Sequence, residues 1–183
     1  MFLVAFPIFL VLILVWKKRN HGWQKMFWYS LFFWYTVFAL SILYFPLPYQ
    51  GEIIADRIND NFEKNQWVPF FSIYTIWATQ AKSMFLIQII GNIILTVPLG
   101  FLLPIVNKSF RNFKTIALFA IFIPIIIELL QYIISIGLGF TYKITDVDDI
   151  ILNFLGLMIG FATWKIVSRH CGSYLSTELS EKQ

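Results

Sequence analysis

What this sequence lacks most is charge. Charged residues make up 13% of its 183 residues and hydrophobic residues 58%, whereas soluble domains hold about 25% and about 45–50%. Its mean hydropathy is +0.72. A chain of this size still exposes roughly a third of its surface, so one soluble globule cannot hide such an apolar surplus. The composition therefore excludes an ordinary soluble domain and indicates a protein whose main solvent is lipid.

Cysteine and histidine are also scarce. A single cysteine, Cys171, excludes an intramolecular disulfide. The two histidines, His21 and His170, are predicted on the inner side of the membrane, and neither a Gly-x-Ser-x-Gly nor a His-Glu-x-x-His motif occurs. We therefore predict no metal and no cofactor, and we assign no catalytic residue.

The net charge of +4 does not indicate a nucleic-acid partner. The basic residues fall in short clusters between apolar runs, which is the pattern of membrane topology. Ten Lys and Arg residues lie after the first, third and fifth apolar runs, and four lie in the other connections. Positive residues favour the cytoplasmic side. The sequence therefore predicts an outside N-terminus and a cytoplasmic C-terminus.

Five apolar runs approach the roughly 20 residues that cross a bilayer as a helix. They cover residues 2–16, which is short, and residues 27–45, 84–106, 115–138 and 147–167. We expect an all-α fold, a polytopic bundle of about five transmembrane helices. It would form a single domain over residues 1–183, with a cytosolic tail over residues 168–183.

The long connection between the second and third runs has two parts. Residues 51–65 are polar, with isoleucines and a phenylalanine at helical spacing, and predict an amphipathic helix on the membrane surface. Residues 67–80 are aromatic and predict a helix that begins near Pro69. Fourteen residues are too few to cross, so we expect this helix in the outer interface.

Polar residues inside the apolar runs are the strongest functional signal, because an ionisable side chain at bilayer depth costs about 2.5 kcal/mol or more. Glu128 and Gln131 share one face of the fourth run, and counting from Ile116 places Glu128 near the midplane. Asn92 lies on a polar face of the third run. Asp149 and Asn153 share a face of the fifth run.

Small residues follow these polar faces. Gly156 and Gly160 continue the Asp149 face in a Gly-x-x-x-Gly spacing, which allows a neighbouring helix to approach closely. On the third run, Pro98 removes a backbone donor and Gly100 gives further room for a neighbour. We expect these glycines to fix the depth of the polar residues against their partners.

Three runs therefore each carry polar groups between the midplane and the predicted outer surface. The sequence predicts an outward-facing polar cleft with Glu128 at its floor and Asp146 and Asp149 at its rim, near Lys143. Two structural interpretations stay open. Asp146 could cap the fifth helix, and Asn92 and Asn153 could be hydrogen-bonding contacts between helices.

Three ordered motifs resemble the VanZ-like family of bacterial membrane proteins. They are an Asn and a Pro-x-Gly (Asn92, Pro98, Gly100), a Glu-x-x-Gln (Glu128, Gln131), and an Asp-x-x-Asp-x-x-x-Asn-x-x-Gly (Asp146, Asp149, Asn153, Gly156). The earlier Trp67-Val-Pro-Phe70 is similar to a further family element, so the resemblance covers residues 66–162. Lys143 stands where the family commonly has an arginine.

The resemblance implies a multi-span protein of the bacterial cell membrane, whose founding relative is linked to teicoplanin resistance. We therefore expect the cleft to bind or modulate a lipid-linked or lipid-bearing molecule, such as a wall precursor or a lipoglycopeptide, with membrane lipid as a further partner. An alternative is an intramembrane enzyme that uses Glu128 and Asp149 as acid and base. Transport is less favoured, because the five unequal runs show no paired repeat.

Overall fold

The computed structural model describes residues 1–45, 65–79 and 85–170, and this part of the chain is helical. Its helices are α1 (Phe2–Lys18), α2 (Trp23–Tyr44), α3 (Phe71–Ala78), α4 (Gly91–Val106), α5 (Phe113–Leu138) and α6 (Val147–His170). A π-helical segment, Phe85–Ile90, leads into α4. The all-α prediction is confirmed. The surface helix predicted over residues 51–65 lies outside the described residues except at its last position, as does the tail from residue 171.

Four stretches are long and apolar enough to span a membrane, and they correspond to the second to fifth predicted runs. They are Trp23–Tyr44, Ile87–Val106, Phe113–Leu138 and Val147–His170. The first run forms α1, whose 17 residues extend about 26 Å. Aromatic rings hold α1 against α2, with Phe9 next to Phe33 at 5.3 Å and Trp16 next to Tyr29 at 5.5 Å between ring centroids.

The short helix over residues 71–78 confirms the prediction of a non-spanning helix that begins near Pro69. It starts two residues later, at Phe71, and ends at Ala78. Phe70, just before it, has a positive φ of 65°. The aromatic side chains of α3 are largely exposed, including those of Tyr74 and Trp77.

Local sequence fixes the helix ends around the α4–α5 connection. The Asn107 side chain accepts a hydrogen bond from Ser109 N, and the Asn112 side chain accepts one from Lys114 N at the start of α5. These are capping contacts, which satisfy amides that have no partner within the helix. The connection is short, so α4 and α5 run antiparallel.

The closest helix pair is α4 and α6, and glycine makes the approach possible. A Cβ on Gly100 would overlap the carbonyl of Leu157, and a Cβ on Gly160 would overlap the carbonyl of Val97. A Cβ on Gly156 would meet the Thr96 hydroxyl. Gly156 and Gly160 thus lie at the closest approach of the two helices, and Gly100 lies at the same contact on the α4 side.

One end of the bundle is packed with apolar side chains. We call it the apolar end: it is the end where α4 finishes and α5 begins. Its buried core consists of Leu103, Ile116, Ala120, Leu157 and Phe161, with partly buried aromatic residues around it. The opposite end, where α5 finishes and α6 begins, carries the polar residues, and we call it the polar end.

Candidate polar site at one end of the bundle

The connection between α5 and α6 folds back along α5. Ser135 Oγ accepts a hydrogen bond from Tyr142 N at 3.1 Å and donates one to Lys143 O at 3.4 Å. This return brings Asp146 N within 3.2 Å of Glu128 Oε2. The prediction of Glu128 at a floor and Asp146 at a rim is therefore wrong, because the folded-back loop places both at the same level.

The site lies level with the last turn of α2. Gln131 Nε2 donates to Leu43 O at 3.2 Å, and Lys143 Nζ donates to Ile42 O at 3.0 Å. Both carbonyls belong to the end of α2, where helical carbonyls have no intrahelical partner. Glu128 is thus near one end of α2 rather than beside its middle. The position of Glu128 near the bilayer midplane, counted along α5, stays a prediction, because α5 at 26 residues or about 39 Å is longer than the hydrocarbon layer and does not fix the depth.

The polar face of α4 is hydrogen-bonded to α6 turn by turn. Asn92 Nδ2 donates to Asp149 Oδ1 at 2.6 Å, and Thr96 Oγ1 donates to Asn153 O at 3.0 Å. Gln88 Nε2 donates to Asp146 Oδ2 at 3.3 Å. Asn92 and Asn153 therefore lie on facing sides of one helix pair, and the interpretation of Asn92 as an interhelical hydrogen-bonding residue agrees with this geometry.

Asp146 has the capping role that was left open from the sequence. Its Oδ1 accepts from Asp148 N at 2.8 Å, and its carbonyl accepts from Asp149 N at 3.2 Å. Burial raises the pKa of the Asp146 carboxyl, while hydrogen bonds from Ser72 and Asp148 act in the opposite direction. Asp146 is thus a helix cap that also contacts α3 and α4.

Asp148 has a role that the sequence analysis missed. It caps α3 rather than its own helix, because its two carboxylate oxygens accept from Phe70 N at 2.5 Å and Ile73 N at 3.1 Å. Gln66 adds a backbone contact, donating to Thr145 O at 2.9 Å and accepting from Val147 N at 3.1 Å. Spacing gave no signal for this contact, since the two segments are more than 70 residues apart.

We call Glu128, Asp146 and Asp149 the acidic cluster. Glu128 is 4% exposed and Asp146 3%, while Asp149 is partly buried. The Glu128 carboxyl acts electrostatically on Asp149, and Lys143 acts on both carboxyls. Burial lowers the pKa of Lys143, and the two carboxylates counteract this effect.

The site has hydrogen-bonding capacity that the described residues do not use. Within residues 1–45, 65–79 and 85–170, Glu128 accepts one hydrogen bond, from Asp146 N, and Asp149 accepts one, from Asn92, whereas a carboxylate has about four acceptor positions. In residues 1–45, 65–79 and 85–170, no group of three or more His, Cys, Asp or Glu side chains could hold a metal ion. The carboxylates of Glu128 and Asp149 can therefore accept hydrogen bonds from a molecule that enters the site. They can also accept a proton from it.

Four apolar spanning helices around a buried acidic cluster define a polytopic α-helical membrane protein. The sequence pattern of the VanZ/LLP1 family matches residues 32–168. This match covers most of the chain and includes the whole acidic cluster, so the protein belongs to the VanZ family. A search of curated proteins and a search of solved structures gave no match.

Proposed function

We propose that this protein acts in the bacterial cell envelope, where its acidic cluster binds or modulates a lipid-linked or lipid-bearing molecule. The observation that carries the proposal is the convergence of Glu128, Asn92 and Asp149, from three different helices, at one end of an apolar bundle. A buried carboxylate is costly. A purely structural contact to Asp146 N could be made by a glutamine at lower cost, so the presence of an acid at this buried position favours a role beyond packing.

Depth supports the choice of ligand class. The cluster is level with the end of α2 and lies beside α3, whose exposed Tyr74 and Trp77 are typical of a membrane interface. The polar head and the apolar tail of a lipid-bearing molecule meet at that level. A lipoglycopeptide such as teicoplanin and a lipid-linked wall precursor both have this form.

The proposal includes an orientation in which the polar end faces outward. The connection with Lys108, Arg111 and Lys114 lies at the apolar end, as expected for a cytoplasmic side. The test uses Cys171→Ser as background, with Leu138→Cys at the polar end and Ser109→Cys at the apolar end. An impermeant maleimide should label Leu138→Cys on intact cells and Ser109→Cys only after permeabilisation. The reverse pattern would refute the orientation.

The functional test is teicoplanin susceptibility of a sensitive bacterial host that expresses the protein. Glu128→Gln and Asp149→Asn should remove protection, because each substitution removes a negative charge while keeping the side-chain shape. Thr163→Val is the matched control, since Thr163 is exposed on α6 and hydrogen-bonds only Ile159 O. Equal protection by all variants at equal membrane levels would contradict the proposal.

A second candidate is an intramembrane enzyme that acts on a lipid-linked substrate. It is favoured by the electrostatic coupling of Glu128 and Asp149, since two carboxyls in one site can act as acid and base. Turnover of such a substrate by the purified protein, abolished by Glu128→Gln, would support this candidate. Protection that depends on Glu128 without any change in the bound molecule would favour the binding role.

A further inference from the structure

In the part of the chain that the structure describes, acidic side chains outnumber basic ones at the polar end. Four carboxylates lie there, and Lys143 is the cation that acts on Glu128 and Asp149. Asp148 is balanced by the two amide groups that it caps. Lys143 is itself engaged, since its ammonium donates to Ile42 O. Among the described residues, carboxyl groups therefore outnumber cationic side chains around the acidic cluster.

Most of the unused hydrogen-bonding capacity consists of acceptor positions on carboxylate and amide oxygens, and the Thr145 hydroxyl adds one group that can also donate. Glu128 and Asp149 each accept a single hydrogen bond from residues that the structure describes. Asn153 Oδ1 is buried without a partner, on the α6 face that carries Asp149 one turn earlier, and Asn153 is 1% exposed. Thr145 Oγ1, next to Asp146, is likewise buried without a partner. Unpartnered buried polar atoms of this kind are uncommon in folded proteins.

Two classes of ligand fit this arrangement poorly. A phosphate or another anion would add to the negative charge at a site of low dielectric, where like charges repel strongly. A divalent cation needs several ligands converging at about 2–2.6 Å, and no such group occurs within the described ranges. An ammonium group fits better, because it is positive and offers three hydrogen-bond donors and no acceptor.

An apolar surface lies next to the cluster. Trp67 is 59% exposed and packs edge-on against Tyr132, one turn from Glu128 on α5. Trp77 on α3 is 76% exposed, and Asp148 ties α3 to the start of α6. A molecule whose polar end reached Glu128 could therefore lay an alkyl chain against these rings.

We infer that the acidic cluster takes the primary ammonium end of an amphiphile, with its alkyl chain against Trp67 and the exposed face of α3. This inference rests on the proposed function and narrows the ligand to cationic headgroups. Glu128 and Asp149 supply the acceptors, and Lys143 limits the strength of the attraction because it carries the same charge as the ligand.

The test measures binding of three amphiphiles that share one alkyl chain and differ only in the head: a primary alkylamine, the alcohol and the phosphate monoester. Purified full-length protein is held in phosphatidylcholine nanodiscs, and binding is followed by tryptophan fluorescence. The amine should bind at least about tenfold more tightly than the phosphate. Glu128→Gln and Asp149→Asn should each weaken amine binding about tenfold or more, as loss of a charged hydrogen bond predicts.

Lys143→Met should have the opposite effect to the carboxylate substitutions. It removes a positive charge that competes with the ammonium group for Glu128 and Asp149, so amine binding should strengthen severalfold. Thr163→Val should change nothing. Tighter phosphate or alcohol binding that depends on Glu128 and Asp149 would overturn the ammonium inference and leave the proposed function intact. Binding of all three amphiphiles that is indifferent to both carboxylates would overturn the inference and count against the proposed function as well. Folding of each variant is checked by its melting temperature in the same nanodiscs.

Discussion

The two ends of the bundle are built on different physical principles. At the apolar end, Leu103, Ile116 and Leu157 are buried without any polar partner, and the helices are held by shape and volume. At the polar end, Glu128 and Asp146 are equally buried but depend on hydrogen bonds from a loop and from neighbouring helices. Both ends are formed by the same four helices, α2, α4, α5 and α6.

The difference teaches where this protein can tolerate change. Apolar packing is sensitive to added volume, since a close-packed interface has no room for it. A polar cluster is sensitive to lost partners, since each unpaired buried group costs free energy. Substitutions at the two ends should therefore differ in whether they affect folding, local order or ligand binding.

The largest effect is expected at the apolar side of the α4–α6 contact. Gly160→Ala would place a Cβ against the backbone of Val97, which cannot move aside without separating the helices. We expect a loss of about 3 kcal/mol in the free energy of unfolding, measured by melting in detergent. The matched control is Gly137→Ala on α5, where a Cβ meets nothing within 4 Å. A Gly160→Ala protein as stable as the wild type would show that the contact is not close-packed.

A smaller and local effect is expected for Asp148→Ala at the polar end. It removes the acceptors for Phe70 N and Ile73 N, which should cost about 2–3 kcal/mol because both hydrogen bonds are made to a charged group. Hydrogen exchange should accelerate at these two amides while the α5 core stays protected. Asp148→Asn should recover part of the protection through its remaining oxygen. Uniform acceleration of hydrogen exchange along the whole chain would show that Asp148 does not act locally on α3.

Tyr35→Phe should lower the free energy of unfolding by about 1 kcal/mol. It tests one polar contact that lies midway between the two ends of the bundle. The Tyr35 hydroxyl of α2 donates to Leu95 O at 2.7 Å, in the turn of α4 that precedes Pro98. Thermal unfolding of the variant is compared with that of Tyr29→Phe, because the Tyr29 ring packs against Trp16. Equal melting temperatures for the two variants would show that the Tyr35 hydroxyl does not stabilise α4.

The smallest effect is the pH dependence contributed by Asp146. Its pKa is raised in the folded protein, so the folded state holds the proton more tightly than the unfolded state. The resulting stabilisation is fully present below about pH 4, and it is lost as the pH rises through the raised pKa. Asp146→Asn keeps the cap and should flatten that decline, by about 1 kcal/mol or less at neutral pH. A variant with the same pH profile as the wild type would show that another group controls it.

Much of the fold could be predicted from particular residues. Four of the five predicted apolar runs correspond, within a few residues, to helices long and apolar enough to span a membrane, because hydrocarbon thickness sets helix length. Gly156 and Gly160 were expected to allow a close helix approach, and the structure shows that the neighbour is α4. The three motifs predicted the VanZ family, which the match over residues 32–168 confirms.

The candidate site could be predicted only in part. Asn92 and Asp149 were expected to face each other, and the structure pairs them. The binding role of these residues stays a prediction. The level of Glu128 and the use of Asp148 to cap α3 could not be foreseen, because neither depends on helical spacing within one segment.

By itself, the sequence determined that the chain would form a set of apolar helices, most of them long enough to span a membrane, since residue type and run length decide what a bilayer accepts. Only the tertiary structure decided how the segments between the helices fold back onto the bundle and which residues they contact. The loop after α5 folds back to bring Asp146 to Glu128, and the segment around Gln66 pairs with the start of α6. The reason is physical: buried backbone and carboxylate groups must find partners, and those partners come from distant parts of the chain.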